Sequence, residues 1–509
     1  MSAADWFLLS PWLLLGAALL AVILVVGFWR HHGVMAAFTT AALTLAAASA
    51  LLVLGATPAR ATIDALPLVR IDGLALLLVA LFAAAGALTA AVSRRYLEGR
   101  RGDPEEYYIL LMCAVFGAMT LAAADHFAIV LLGLEILSIS LYTLIAYPEE
   151  DSWPLEAGLK YLILSGVAST TLLFGVALLY ARTGSLGLDA LAVGDGAAPL
   201  MVLTGAVMVL AGLSFKLSLA PFHLWTPDVY QGAPAPITGF VATVSKGAVV
   251  VVLLRIVAQS DLLASPQLFS ILAAMAVLSM LLGNLLAVMQ RSVKRVLAFS
   301  SVAHMGYLMV AVLAIGSSGG VALGTEAAVV YVVAYTVMTL AAFAVITTLS
   351  GAGATRDMDD IDAFTGLLWR QPLAAVVLAV ALLSLAGIPL TLGFIGKFYL
   401  VAAGVDRGLW PLLWVLLLGS GIGLFYYLRI LYALIRPTDP DVAEAARPSL
   451  AGGWVLGLLA GLLLLLGVWP MPLIEMVQGV LSYQEALPQL GVLVAPGEDS
   501  RDLQDVLGL

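Results

Sequence analysis

The sequence predicts an all-α polytopic membrane protein: a bundle of about 14 transmembrane helices with two inverted five-helix repeats, each containing a broken helix. Three observations lead there. Of 509 residues, 62% are hydrophobic and 11% charged, and mean hydropathy is +1.07. Apolar stretches of about 20 residues, the length a spanning helix needs, recur nearly end to end. The alternation of a transmembrane barrel is missing, so the backbone is expected to satisfy its hydrogen bonds within helices.

Spans are read near 9–29, 34–54, 73–92, 107–123, 126–146, 157–181, 200–231, 238–258, 268–288, 295–315, 325–349, 372–404, 410–435 and 451–469. The first three, within 1–106, precede the repeats. In 200–231 the phrase LSLAPFHLWTPDVYQG puts Pro221 near the middle; in 372–404 LLSLAGIPLTLGFIGKFYL puts Gly387 and Pro389 there. Both segments are too long for a simple span. Proline removes a backbone donor and clashes with the preceding turn, so each is expected to break near mid-membrane. The freed carbonyls should be hydrated or bonded to side chains such as His223.

Leu-Ser-Leu-Ala opens both breaks, at 217–220 and 383–386. The spans of 107–258 and those of 268–435 number five each, with the broken helix fourth in each set. Five is odd, so the second set starts from the opposite side of the membrane. The repeat is then inverted, an architecture transporters build around midplane sites. One span at 451–469 follows. The 470–509 tail is less apolar, ends acidic (GEDSRDLQD) and is expected at or beyond the outer surface. No linker divides the chain, so 1–509 reads as a single membrane domain.

Charge in the loops sets the orientation. Connections after odd-numbered spans hold twelve arginines and lysines, among them Arg30, Arg94, Arg101, Arg295 and Arg447; the other side holds Arg60, Arg70, Arg182, Arg407 and Arg501. The positive-inside rule puts the larger set in the cytoplasm and both termini outside. The first span has no basic lead-in or convincing cleavage site and is read as retained.

Several function classes drop out. Cys113 stands alone, with no partner for a bridge, a zinc site or an iron–sulfur cluster. No His/Cys/carboxylate group has ligand spacing, and no phosphate loop, dinucleotide fingerprint or haem motif occurs. No metal or cofactor is expected in this chain. The net charge of −9 comes mostly from acidic loops and the tail, and no basic patch supports nucleic-acid binding.

What remains is a small set of ionisable residues in hydrocarbon. Glu135 is the only one of 32 acidic residues in the middle of a long apolar segment, and Lys216, Lys246 and Lys397 lie deep in others. Such a residue at the bilayer centre costs roughly 2.5–3.5 kcal/mol on insertion scales, which marks it as a candidate for proton or ion transfer. In hydrocarbon an isolated charge tends to its neutral form, and an opposite charge nearby restores it. Glu135 and Lys216, both near mid-depth, therefore read as a switchable pair, with a static ion pair as the competing reading. Lys246 and Lys397 have no carboxylate along their own helices and read as reversible proton holders; snorkelling is the alternative for Lys397. Lys160, one turn inside its span, is a further candidate for proton transfer, against a simple surface pair with Glu156 one turn away. His223 beside Pro221 and His304 near mid-depth suit a relay, against a hydrogen-bonded core role. Arg255 and Arg429, towards span ends, read as snorkelling anchors. Ser138, Ser140, Ser214, Ser218, Thr243, Ser245 and Asn284 supply hydroxyls and an amide along the way.

Three stretches, KLSLAPFHLWTPDVYQGAPAPITGF (216–240), RSVKRVLAFSSVAHMGYLMVAV (291–312) and LAGIPLTLGFIGKFY (385–399), resemble the N subunits of bacterial NADH–quinone oxidoreductase, respiratory complex I. The likeness runs over nearly the whole chain. It implies a fourteen-helix antiporter-like subunit in the inner membrane that moves protons. Other membrane subunits, neighbouring antiporter-like ones included, would surround it in the bilayer. NAD, FMN, iron–sulfur clusters and quinone would belong to partner subunits. It also implies Glu135 and Lys216 as the coupled pair of a first half-channel, Lys246 as central carrier and Lys397 as gate of the second. The lysine in the second broken helix fits this branch rather than its M-type paralogue. A subunit of a multisubunit sodium/proton antiporter, which shares the fold, is the alternative; an anchoring subunit with a dead channel would have no reason to keep so many buried ionisable groups.

Overall fold

The computed structural model describes residues 2–56, 61–62, 68–100, 102–147, 152–191, 200–260, 262–315, 321–351, 356–437 and 449–491. Arg60, Arg101, Arg447 and Arg501 of the charge comparison lie outside the described residues, as does the acidic end of the tail. Among the described residues, 13 helices are long and apolar enough to cross a membrane, from Ser10–Phe28 to Leu450–Val468. The interrupted pair Pro372–Ala386 and Leu392–Asp406 supplies one crossing more.

Local chemistry sets the helix ends. Asp72 caps Gly73–Leu97 by accepting from the Ala75 amide at 2.8 Å, and Ser292 caps Val293–Ala314 through the Arg295 amide at 3.0 Å. Proline opens Pro104–Ala122, Pro266–Val288 and Pro372–Ala386, where its missing N–H costs nothing. Three spans, Ala235–Gln259, Val293–Ala314 and Leu323–Leu349, are buried along their whole apolar length and make the centre of the bundle. A π-helical turn, Val241–Ser245, interrupts the first of these just before Lys246.

Both expected breaks are present. Helix Leu200–Leu217 stops, Ser218 turns at φ +60°, and helix resumes at Trp225–Gly232. The Phe215 carbonyl accepts from both the Ser218 amide and the Trp225 indole at 3.0 Å. His223 sits in the same break, within hydrogen-bonding reach of the Pro221 backbone. In the second break Gly387, at φ +83°, closes Pro372–Ala386, and Leu390 turns at φ +71° before Leu392–Asp406. Gly393 packs so closely on the first limb that an added Cβ would lie 1.8 Å from the Ser384 carbonyl oxygen. Only glycine fits there.

The tail begins as helix Met471–Gly491, with Leu473, Val477, Val480 and Leu481 buried. Gln478 donates to Glu326 at 2.9 Å. The start of the tail is therefore packed onto the bundle.

Arg255 corrects the snorkelling expectation. Its guanidinium grips both Asp72 carboxylate oxygens, at 3.0 and 2.8 Å, and donates to the Ala122 carbonyl, at side-chain exposures of 3% and 2% for the pair. Arg429 likewise turns inward, donating to the carbonyls of Val288 and Gln290. Removing one partner of a buried pair strands the other charge. Arg255→Ala is expected to cost about 3–5 kcal/mol, whereas an apolar replacement of both Arg255 and Asp72 should recover most of that loss. Thermal unfolding in detergent checks this, and equal midpoints for the wild type and the single variant would refute it.

Candidate functional site

Each of the three deep lysines is held by neutral groups. Lys216, 4% exposed, donates from Nζ to Ser138 Oγ at 2.6 Å and Ser165 Oγ at 2.5 Å. Its ammonium also lies 5.7 Å from the centre of the Tyr161 ring. Ser165 in turn bonds the Tyr142 hydroxyl at 2.9 Å. Glu135, one helical turn before Ser138, is within electrostatic reach of Lys216, but no ion pair joins them among the described residues. The hydroxyl one turn along the same helix face has taken the contact expected of the carboxylate.

Lys246, 1% exposed, donates to Ser301 Oγ at 2.6 Å. The same oxygen accepts from the Tyr335 hydroxyl at 2.6 Å and meets that of Tyr230 at 3.3 Å. The Tyr230 ring centre is 5.6 Å from the ammonium. Between the first two lysines stands Tyr161, which faces Lys216 on one side and Ser245, next to Lys246, on the other. A cavity of about 10 Å³ lined by Thr243, Lys246, Tyr331, Tyr335 and Thr336 adjoins Lys246, near the lower limit for one water.

Beyond Lys246 the hydroxyls continue. Ser300 is hydrogen-bonded to Tyr427. The Tyr427 hydroxyl is 3.2 Å from His304 Nε2, and His304 Nδ1 is 2.7 Å from the Tyr331 hydroxyl. The ring sits within electrostatic reach of both Lys397 and Lys246. Lys397, 8% exposed, turns inward: Nζ donates to the Ala386 carbonyl and to Ser420 Oγ, both at 2.8 Å. That carbonyl is freed by the break, and Gly387 leaves room for the lysine stem, since a Cβ there would meet Lys397 Cδ at 2.7 Å. The Tyr307 ring centre lies 5.4 Å from the ammonium, and the Tyr307 hydroxyl accepts from Asn284 at 2.7 Å.

Lys160 makes the expected pair with Glu156 at 2.8 Å and a further one with Asp228 at 2.9 Å, at 41% side-chain exposure. His223 is buried but stays outside the hydroxyl seam. Sequence reasoning passed over Ser165, Ser300, Ser301, Tyr331, Tyr335 and Tyr427. Tyr331 and Tyr335 share one face at i, i+4, and the serine pair precedes His304 by one turn; those spacings carry the only local signal. It also passed over Lys294, buried and paired with Asp357 at 2.8 Å. Burial alone would lift the Asp357 carboxyl, but Lys294 and Arg100 beside it hold it below the usual carboxylate range. A cavity of about 380 Å³ lined by residues that include Arg100, Gln231, Asp357 and Asp359 is bordered by none of Lys216, Lys246 and Lys397. Among the described residues no cluster of three or more His, Cys, Asp or Glu could hold a metal ion.

Known proteins share this fold and much of this sequence. Residues 124–423 match the family model of NADH:quinone oxidoreductase/Mrp antiporter transmembrane proteins. NADH-quinone oxidoreductase subunit N of Chromohalobacter salexigens is 45% identical over 92% of this chain and 98% of its own length. The protein of that name from Ectopseudomonas mendocina is 44% identical over 94% and 96%. A chain of respiratory complex I from Thermus thermophilus, solved with bound Aureothin, is 32% identical, with TM-score 0.78 over 92% of this chain and 99% of that one.

Proposed function

We infer, from the premise that the chain belongs to the NADH-quinone oxidoreductase subunit N family, that it is a proton-translocating membrane subunit of that complex. The observation that carries the reading is the seam itself: three buried ammonium groups held by hydroxyls, carbonyls and aromatic rings, with no carboxylate in ion-pair contact among the described residues. An ammonium so held can release its proton, because no neighbouring anion pins the charge.

In this reading Lys216 loads in the first half-channel. Lys246 takes the proton at the centre and Lys397 releases it in the second. His304 links the last two. A neutral imidazole donates through one nitrogen and accepts through the other, so the Tyr331–His304–Tyr427–Ser300 chain has a direction, and each proton that passes reverses it. His223 and Lys160 stand at the edge of the path. The repeats of 107–258 and 268–435 would place one half-channel towards each side of the inner membrane, with both termini outside. The three helices of 1–106, the helix of 451–469 and the tail would flank them. The redox chemistry, with its NAD, FMN, iron–sulfur clusters and quinone, would sit in partner subunits, and other membrane subunits would contact this one through the bilayer.

The test uses inside-out vesicles that carry the whole complex with this chain. NADH is expected to drive acidification that persists without sodium and collapses when this chain is deleted while electron transfer continues. Acidification that requires sodium would favour the antiporter reading instead.

A further inference from the structure

One carboxylate touches both halves of the path. Asp228 lies on Trp225–Gly232, the limb beyond the first break. Its Oδ2 accepts from Lys160 at 2.9 Å and its Oδ1 from Arg295 at 2.9 Å. Arg295 also reaches Gln231 on the same limb at 3.2 Å. Lys160 belongs to Ser152–Thr183, the helix that presents Tyr161 and Ser165 to Lys216. Arg295 belongs to Val293–Ala314, which presents Ser301 to Lys246. At 1.5 Å per residue, Lys160 is about 8 Å from Ser165 along its helix and Arg295 about 9 Å from Ser301 along the other. Asp228 therefore ties together the two helices that hold the hydroxyl acceptors of two successive lysines.

We propose that Asp228 is a positioning residue: it couples the state of the Lys216 site to the placement of Ser301 against Lys246. The side chain is 38% exposed, and ion pairs at such exposure add little to stability. Their modest strength suits a contact that shifts during a cycle rather than a staple. When Lys216 gains or loses its proton, its grip on Ser165 changes. A movement of Ser152–Thr183 then reaches Val293–Ala314 through Lys160, Asp228 and Arg295, two helices that both carry side chains of the seam.

The proposal rests on the proton-path reading above, and the experiment separates the two. Vesicles carrying the whole complex are compared for Asp228→Asn, Asp228→Glu and Lys216→Met, reading electron transfer and proton-to-electron ratio together. Asp228→Asn is expected to lower the ratio about fivefold, the scale on which one exposed ion pair biases two positions, while electron transfer continues. Asp228→Glu should restore it. A merely structural role would lower both quantities in proportion, and that outcome overturns the proposal. So does a wild-type ratio in Asp228→Asn beside a failed Lys216→Met. If Lys216→Met itself pumps normally, the proton path falls, and the proposal with it. Should Asp228→Asn fail to assemble, Lys160→Gln cuts one arm alone and is read by the same criteria.

Discussion

Lys246→Met stops proton pumping and leaves the helix in place. Lys246 is held by one hydroxyl, Ser301, and by the face of Tyr230. Among the described residues it has no counter-ion to strand, unlike the Arg255–Asp72 pair, and Ser301 keeps its bond from Tyr335 when the ammonium is gone. Methionine nearly matches the lysine stem in volume and suits a site beside Val250, Met305 and Leu308. The folding cost is therefore small, while the lysine between Lys216 and His304 in the seam disappears. Removing a positioned acid–base group lowers a rate by about 10²–10⁴-fold, and the proton flux should fall on that scale. Dye quenching in vesicles measures the flux, and copurification of the other subunits measures assembly. Assembled complex that still pumps would falsify the central role of Lys246.

Lys216→Arg should fail almost as completely, although it keeps the charge. Arginine does not give up its proton in a protein. Its planar fork also suits two hydroxyls at 2.6 and 2.5 Å poorly, since they converge on a single nitrogen. Lys216→Ala removes the charge and the exchangeable proton together. The pair of variants separates two roles. If the positive charge alone mattered, arginine would pump and alanine would not. If proton exchange matters, both fail, with NADH oxidation and subunit content as controls. Normal pumping by the arginine variant would remove Lys216 from the proton path.

The helices, the two breaks and the rare buried lysines could be read from the chain because their signals are local. Lys216, Lys246, Lys397 and His304 stood out as ionisable residues deep in apolar runs, and the structure buries all four. Their partners were not legible. Ser301 is 55 residues from Lys246, and Ser138 is 78 from Lys216. In a span apolar on every side, such as Leu323–Leu349, no amphipathic stripe marks the face that turns inward, so nothing local singled out Tyr331 and Tyr335. Arg255 was read as a span-end anchor because its partner Asp72 is 183 residues away. His223 stays against the Pro221 backbone at the break, while the bond from Trp225 to the Phe215 carbonyl had no signal in the sequence.

The bonds from Lys246 to Ser301 and from Tyr335 to Ser301 run from helix to helix rather than along any one of them. Moving one charge across the full membrane potential involves about 2.3 kcal/mol per 100 mV, but a step sideways at constant depth crosses almost none of that drop. In the proposed path the electrical load would then fall on the two legs from Lys216 and Lys397 to the membrane surfaces. A rising voltage would slow filling and emptying at the ends, while the hand-over between lysines in the middle would proceed at an unchanged rate.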